Sequence, residues 1–374
     1  MKKSRLYTFL MLLASFATLS VSSVSCTDDE KDDNGGNNNN NNDTVDTIGT
    51  RVFRYFCFSY TPNDSSKSCA AYYCDSLVVL QAQSNNGAVY ANAIYVDSTD
   101  VYVAGSDNSS AVYWRNGAIH YLPEGAYASD IVVKNGHVYV CGTGGGQARY
   151  WVDDTPAYSL ADGYSAEGID VDNDGNIYIV GYNTSGDVET LRYWTGTAGQ
   201  MSGFNLSAES SENACEGRAI ALDYTHYDDN GHPYICIASL EYSRAGIMAK
   251  QWVNRRYTTV NTSSGNDMTD VMAVGGKLYT CGKYGKMAYY WVSDIANSGA
   301  CNNLVATKLS DGSDEVLANA LYVFEGKVYV VGTRTKDFTP YYWINGTETA
   351  LPISVTSLGK IEMADICVVR RKVQ

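Results

Sequence analysis

Residues 170–175, Asp-Val-Asp-Asn-Asp-Gly, place three carboxylates at alternating positions before a glycine, a spacing that suits a hard divalent cation. The first half of a calcium-binding loop has this pattern, because alternating side-chain oxygens can surround the ion. The last position of such a loop would be Gly181, where calcium needs a bidentate glutamate. Asp-Gly is also ordinary chemistry for a hairpin turn. We therefore predict a turn between two strands here, and no metal or cofactor in the protein.

Other local motifs for catalysis are missing from the sequence. Gly142-Thr-Gly-Gly-Gly146 has the composition of a phosphate-binding loop, but it lacks the lysine and leads into a strand pattern rather than a helix. The histidines share no metal-ligating spacing, and no Gly-x-Ser-x-Gly nucleophile elbow occurs. A pair of carboxylates from distant segments needs no local motif. The sequence thus assigns no catalytic residue but leaves an enzyme as an alternative.

The tryptophans are another candidate for chemistry, since indole rings can serve as platforms for sugars. Each of the six ends a strand-like segment at the same point of a repeated pattern: Trp114, Trp151, Trp194, Trp252, Trp291 and Trp343. Large aromatic side chains dominate protein cores. Their strict repetition therefore predicts packing within or between repeat units.

The repeat has a period of about 40–50 residues and several strands per unit, which is typical of propeller blades. A unit consists of a first strand, a second strand such as VYVAG at 101–105, a third strand ending in tryptophan, and a weaker fourth strand. The first strands begin at Ala91, Ala128, Ala166, Gly217, Met268, Ala318 and Met363. The pattern loosely resembles kelch repeats, although the glycine pair after their second strand is missing.

The seventh unit is split between the two ends of the chain. Residues 363–368 supply its first strand, whereas 51–58, 70–74 and 77–80 supply the other three. Sharing one blade between the termini closes the ring and leaves few open sheet edges. We predict an all-β, seven-bladed β-propeller with terminal strand closure over residues 51–374.

The residues just before and at the start of the first strands differ from unit to unit. In a propeller these connections surround the mouth of the central channel, where ligands commonly bind. Tyrosines precede the first strand in three consecutive units, beside amide, carboxylate and guanidinium groups that suit a sugar. The predicted ligand-binding residues are Tyr90, Asn92, Tyr127, Ser129, Tyr164, Glu167, Arg218, Thr269 and Asn319. The alternatives are that these are solvated loops, or that the tyrosines only seal neighbouring blades.

Several cysteines also follow the repeat. Cys57, Cys141, Cys236 and Cys281 align at one position of the second strand, where other units carry alanine or valine. A site that accepts such residues is a small core position, in which a free cysteine behaves as a small hydrophobe. Cys69, Cys74 and Cys367 lie near the closing seam, where a disulfide in an oxidising compartment is an open alternative.

The N-terminus predicts export and lipidation. A basic start and an apolar run, residues 1–25, have the plan of a secretory signal, and Val24-Ser25-Cys26 resembles a bacterial lipobox, so Cys26 would be lipidated. An uncleaved membrane anchor is the alternative, but the segment becomes polar too early to span a bilayer. Residues 27–33 resemble the acidic export tag of Bacteroidetes surface lipoproteins. The rest of 26–50 is Asn-rich and is expected to be a flexible tether.

Charge and resemblance together bound the function. The formal net charge of −14 argues against nucleic acid or an anionic bilayer as the partner of the folded part. As a whole, the chain resembles propeller-type surface lipoproteins of Bacteroidetes, which implies a lipid anchor in the outer membrane and exposure at the cell surface. We hypothesise a binding module for a glycan or protein without catalysis. The alternatives are a glycan lyase or hydrolase with carboxylates at the channel mouth, and a scaffold subunit of an outer-membrane complex.

Two observations would separate these functions. Two acids with a histidine or tyrosine at the mouth would favour an enzyme, whereas a bare apolar side face would favour a scaffold.

Overall fold

A computed structural model describes residues 49–83, 87–97, 100–185, 188–206, 213–351 and 358–372. The predicted signal peptide, the lipidation site Cys26 and nearly all of the tether lie outside the described residues. No helix in these ranges is long and apolar enough to cross a membrane.

The chain folds into seven four-stranded antiparallel sheets arranged as a β-propeller. Blade 1 contains β4 (Val89–Asp97), β5 (Asp100–Asp107), β6 (Ser110–Arg115) and β7 (Ala118–Tyr121). Blade 2 contains β8 (Tyr127–Lys134), β9 (His137–Gly144), β10 (Gln147–Val152) and β11 (Tyr158–Ser159). Blade 3 contains β12 (Ser165–Val171), β13 (Ile177–Ser185), β14 (Val188–Thr197) and β15 (Gln200–Asn205).

Blade 4 contains β16 (Ala214–Tyr227), β17 (Pro233–Ser243), β18 (Gly246–Val253) and β19 (Arg256–Ser263). Blade 5 contains β20 (Asp267–Val274), β21 (Lys277–Tyr284), β22 (Met287–Ile295) and β23 (Cys301–Lys308). Blade 6 contains β24 (Val316–Phe324), β25 (Lys327–Arg334), β26 (Thr339–Ile344) and β27 (Thr347–Glu348). Blade 7 contains β28 (Lys360–Lys372), β1 (Thr50–Thr61), β2 (Cys69–Cys74) and β3 (Ser76–Leu80).

Blade 7 closes the ring with strands from both ends of the chain. Its first strand β28 pairs antiparallel with β1 along its whole length, from Thr50 opposite Lys372 to Thr61 opposite Lys360. The predicted seven-bladed fold and its terminal strand closure are therefore confirmed.

The core lies between the blades rather than within any one of them. Each tryptophan packs against the blade that precedes its own; Trp151, for example, lies with Tyr102, Ala104 and Leu122 of blade 1. The indole N–H groups of Trp114, Trp151 and Trp194 donate to the carbonyls of Gln81, Pro123 and Ala161 at 2.9, 2.9 and 3.0 Å. The tryptophans thus hold neighbouring blades together, as their repetition predicted.

A glycine of the second strand lies close under the tryptophan ring in blades 1 and 6, at Gly105 and Gly332. At Gly332 an added Cβ would lie 2.8 Å from the Trp343 ring and 2.4 Å from the Leu317 carbonyl, so no larger residue fits. Blade 4 has no glycine at this position of its second strand. Ser239 takes the place of the glycine and accepts the Trp252 N–H at 2.8 Å, while the glycine moves to the facing position of the first strand, Gly217.

The predicted cysteine position is correct for three of the four residues. Cys57, Cys141 and Cys281 are fully buried and pair with Asp365, Asp130 and Asp270 of the first strands. Cys236 is also buried in the core, but it pairs with Ala221, and Ala238 fills the equivalent position in blade 4. The alignment slipped by two residues because blade 4 lacks the glycine that marks the end of this segment. The nine described cysteines form no disulfide.

Candidate functional site

Every first strand carries a β-bulge at the same position. The register shift skips the residue after the first position of each repeat unit. We call these residues the bulge ring: Asn92, Ser129, Glu167, Arg218, Thr269, Asn319 and Ala364. Bulges leave one residue unpaired and re-aim its side chain, which is why they recur beside binding sites. Six of the predicted ligand-binding residues belong to the bulge ring.

The bulge ring serves partly to join neighbouring blades. The Asn92 amide donates to the Ala128 carbonyl of the next blade at 2.6 Å, and the Thr269 hydroxyl donates to the Ala318 carbonyl at 2.7 Å. Ser129 Oγ and Asn319 Oδ1 are buried and have no hydrogen-bond partner among the described residues. Asn92 and Thr269 therefore have a structural role, since both side chains are hydrogen-bonded to the backbone of the next blade.

Deeper in the channel, four aspartates cap the open backbone edges of the first strands. Asp130 accepts the N–H of Ile131 at 2.8 Å and the N–H of Ile169 in the next blade at 2.9 Å. Asp170, Asp270 and Asp365 bridge their own strand and the next one in the same way. We call these four residues the aspartate ring. Because equivalent positions meet around the channel, the first strands lie side by side and run in the same direction.

The aspartate ring holds on to protons more strongly than ordinary carboxyl groups. Burial raises the pKa of Asp130 and Asp170 to about 7 and that of Asp270 to about 6, although the backbone N–H donors oppose the rise. Burial raises the pKa of Asp365 well above its usual range, and the charge of Asp270 adds to the effect. Like charges across a narrow channel disfavour one another. Asp130, Asp170 and Asp270 therefore have pKa values close to neutral pH.

The described residues contain no group of three or more histidine, cysteine, aspartate or glutamate side chains that could hold a metal ion. In the stretch 170–175, Asp170 belongs to the aspartate ring, whereas Asp172 is buried and accepts the backbone N–H groups of Asp174 and Asn176 at 2.9 and 2.8 Å. Tyr178 also donates to Asp172, at 3.1 Å. These contacts are those of a hairpin turn.

A polar cluster lies where blades 3 and 4 meet near the channel mouth. Arg218 Nη2 lies 2.6 Å from Glu216 Oε2 and donates to the Tyr242 hydroxyl at 3.1 Å, which in turn donates to Glu216 at 3.1 Å. Glu167 and Glu189 of blade 3 interact electrostatically with both Arg218 and Glu216. We call these five residues the acid–arginine cluster.

Gly217 explains why the cluster forms in this sector. A Cβ at this position would lie 2.4 Å from Val180 and 2.7 Å from Leu191, both in blade 3. Other blades carry alanine or methionine here. The missing side chain lets the first strand of blade 4 approach blade 3 and brings the flanking Glu216 and Arg218 against it.

Two carboxyl groups of the cluster, Glu189 and Glu216, lie within hydrogen-bond distance of each other. Burial raises the pKa of Glu189 to about 7, and the hydrogen bond and charge of Glu216 raise it further while Arg218 opposes the shift. Burial also raises the pKa of Glu167, against the Ser165 hydroxyl and Arg218. A carboxyl group whose pKa lies near neutral pH suits general acid–base chemistry.

An aromatic surface adjoins the cluster. Tyr164 is 44% exposed, and its ring lies 5.8 Å from that of Tyr182. The pKa of Tyr182 is raised by burial and by the charges of Glu167, Glu216 and Glu189. The structure thus brings together three predicted residues, Tyr164, Glu167 and Arg218.

The other predicted tyrosines lie elsewhere. Tyr90 of blade 1 lines a pocket of ≈ 180 Å³, together with Tyr60 and Lys360 of blade 7 and Phe338 of blade 6. Tyr127 is 39% exposed on blade 2. Each tyrosine therefore has its own surroundings.

Sequence analysis missed Tyr182, Glu189 and Tyr242. Tyr182 and Tyr242 lie near the ends of second strands, and Glu189 lies at the start of a third strand. Tyr182 pairs with Ser165 of the first strand and with Leu191 of the third. In an antiparallel blade these ends lie beside the start of the first strand. Including the turns between second and third strands in the search for rim residues would have found them.

No protein-family model matches the chain, and no curated protein matches it. Among solved structures, it is similar to a periplasmic gluconolactonase of Pseudomonas aeruginosa, with 12% identity, 86% of this chain and 84% of that chain covered, and a TM-score of 0.39. It is also similar to a PQQ-bound aldose sugar dehydrogenase of Streptomyces coelicolor, with 13% identity, 79% of this chain and 98% of that chain covered, and a TM-score of 0.42. A third similar structure is a glycosyl hydrolase of Bacteroides ovatus, with 13% identity, 62% of this chain and 81% of that chain covered, and a TM-score of 0.29. At these TM-scores the likenesses carry no argument about the site.

Proposed function

We propose that this protein binds a glycan at the channel mouth, in the sector formed by Tyr164, Tyr182 and the acid–arginine cluster, and that it does so as a lipid-anchored protein at the cell surface. The observation that carries the proposal is the exposed Tyr164 ring next to several convergent polar groups. Sugars present C–H faces that stack on aromatic rings and hydroxyl groups that hydrogen-bond to carboxylates and guanidinium groups. The anchor rests on the sequence around Cys26 alone.

The charges of the cluster narrow the class of glycan. Three carboxyl groups, Glu167, Glu189 and Glu216, face a single guanidinium group, Arg218. This balance disfavours ligands that carry carboxylates or sulfates, because like charges repel. We therefore expect a neutral or amino-sugar glycan.

A glycan array with neutral, amino and acidic sugars tests the proposal. Tyr164→Ala and Arg218→Met are expected to abolish binding. Tyr227→Ala is the matched control, since Tyr227 is 52% exposed at the far end of a first strand. It is expected to bind like the wild type. A wild-type domain that binds no sugar on the array would refute the proposal.

A hydrolase or lyase is the second candidate, and the Glu189–Glu216 pair is the observation that favours it. Two acids near a tyrosine at the mouth are the arrangement expected of a catalytic site. Glu189→Gln separates the two functions. In an enzyme it would abolish turnover of the bound glycan, whereas a pure binding module releases no shorter product with or without the substitution. Release of shorter products by the wild type would decide for the enzyme.

A scaffold subunit and a protein ligand remain hypotheses without a specific contact to support them. Within the described part of the chain, the clearly exposed large aliphatic side chains on the outer strands are Val79 in blade 7 and the neighbouring Leu304 and Val305 in blade 5. These are small, separate patches rather than one bare side face.

A further inference from the structure

Blade 4 contains a lysine and a glutamate that are both completely buried. Lys250 Nζ lies 2.5 Å from Glu241 Oε2, and neither side chain is exposed to solvent. Removing two charges from water costs several kcal/mol for each ion, so such a pair is a weak source of stability. Its presence in a propeller core therefore calls for another reason.

An asparagine completes the arrangement. The Asn213 amide donates to the other oxygen of the same carboxylate, Glu241 Oε1, at 2.6 Å. Glu241 thus contacts the lysine amine with one oxygen and the asparagine amide with the other. The three residues come from the segment leading into the first strand, from the second strand and from the third strand of blade 4.

Lys250 and Glu241 are shielded from water and border aromatic and apolar side chains. The Lys250 Nζ lies 3.9 Å from the centroid of the Tyr257 ring, and Trp252 and Cys215 belong to the apolar cluster between blades 3 and 4. Low local polarity strengthens hydrogen bonds and limits the competing attack of water. Equivalent positions in the other tryptophan-containing blades hold Val112, Arg149, Arg192, Tyr289 and Tyr341.

We propose that Lys250 and Asn213 become joined by an intramolecular amide bond, with Glu241 as the catalytic residue. Glu241 takes one proton from the Lys250 ammonium group, and the neutral amine attacks Cγ of Asn213. A second proton passes from Nζ to Nδ2 through the Glu241 carboxyl group. The Cγ–Nδ2 bond breaks, ammonia leaves, and Glu241 keeps the first proton. Atoms and charge balance, and no oxidant or external reactant is needed.

The position of Glu241 serves both halves of this reaction. A group that relays protons must lie within hydrogen-bond distance of the atoms that lose and gain them. The contacts of 2.5 and 2.6 Å meet this condition. The product replaces a buried ion pair by a neutral amide and links the segment before β16 to β18. A cross-link of this kind limits the freedom of the unfolded chain, as a disulfide does.

Peptide mapping of the purified full-length protein by tandem mass spectrometry tests the proposal. The wild type is expected to yield a branched peptide joining the segments around Asn213 and Lys250, lighter than the sum of the two linear peptides by one ammonia. Glu241→Gln keeps the shape of the side chain but cannot relay the protons, so it is expected to yield only the linear peptides. Glu315→Gln is the control, because Glu315 pairs with Lys283 in a less buried setting.

The outcome does not depend on any variant folding, because the wild-type digest decides it. Two separate linear peptides from the folded wild type would overturn the proposal. Recovery of the branched peptide from Glu241→Gln at the wild-type level would overturn the role of Glu241. Either result is independent of glycan binding.

Discussion

The Asp365 carboxylate of the last strand accepts the backbone N–H of Ile94 in blade 1, with 2.9 Å between Oδ2 and N. Its other oxygen accepts the N–H of Ile366 at 2.7 Å. The contact joins residues that are 271 positions apart and lies directly beside the seam where both ends of the chain meet. One side chain therefore helps to close the whole ring.

Asp365→Ala is expected to lower the free energy of unfolding by about 1–3 kcal/mol, because two backbone N–H groups lose their acceptor. Asp311→Ala is the control, since the side-chain hydrogen bonds of Asp311 stay within its own exposed turn, to Ser313. It is expected to change stability by no more than about 0.5 kcal/mol. Urea denaturation followed by fluorescence gives both values. Equal effects of the two substitutions would contradict the role of Asp365.

Deletion of residues 360–374 removes the whole first strand of blade 7. We expect aggregation or a large fall in melting temperature, because β1 and the neighbouring blade then expose unpaired or unpacked surface. Scanning calorimetry and size-exclusion chromatography measure the effect. A truncated protein that melts like the full domain would contradict closure by the termini.

Stability is expected to fall as the pH rises from about 5 to about 8. The aspartate ring has pKa values raised to about 7, 7 and 6 at Asp130, Asp170 and Asp270, so the folded state binds more protons than the unfolded state in this range. The folded state is therefore stabilised at low pH, where these carboxyl groups are protonated. This stabilisation is lost as the pH rises through the raised pKa values of the folded state. Melting temperatures across the range measure the effect.

Asp130→Asn combined with Asp170→Asn is expected to flatten this pH dependence, since amides do not titrate. Asp311→Asn is expected to leave it unchanged. The range above about pH 5 also keeps exposed carboxyl groups such as Asp337 charged, because its pKa is lowered to about 2 by its hydrogen bonds with Arg334. A wild-type protein that becomes more stable toward pH 8 would refute the prediction.

Trp151 and Trp343 form a matched pair for the packing between blades. Both are fully buried, but only Trp151 donates to a carbonyl, that of Pro123 at 2.9 Å, whereas the Trp343 N–H has no partner among the described residues. Trp151→Phe is therefore expected to cost about 1 kcal/mol more than Trp343→Phe. Denaturation curves compare the two, and a larger cost at Trp343 would contradict the role assigned to the indole hydrogen bond.

Cys26→Ser is expected to abolish lipidation and release the protein from the membrane, because the acyl chains supply the membrane affinity. Metabolic labelling with a radioactive fatty acid is the measurement. Cys69→Ser serves as the control. Because Cys69 lies in the propeller, this variant is expected to take up the label like the wild type. A wild-type protein without label would exclude the anchor.

Parts of the candidate site could be predicted from the sequence. Tyr164, Glu167 and Arg218 stood out because they interrupt the repeat near the start of a first strand. Tyr182, Glu189 and Tyr242 did not, since their strand ends were not searched and their approach to blade 4 depends on packing across Gly217. The buried contacts of Glu241 with Lys250 and Asn213 also escaped notice, because residues far apart in the chain meet only after three strands pair.

The sequence by itself determined the number of blades, their strand order and the closure by both termini. These features follow from local patterns: strand periodicity, turn residues and a tryptophan that returns at one position of each unit. Only the tertiary structure decided which polar side chains meet, such as Asp130 with the N–H of Ile169 or Glu216 with Arg218. Such contacts depend on how closely neighbouring blades approach and on where each bulge directs its side chain, and neither distance nor direction is encoded in the spacing of residues along one strand.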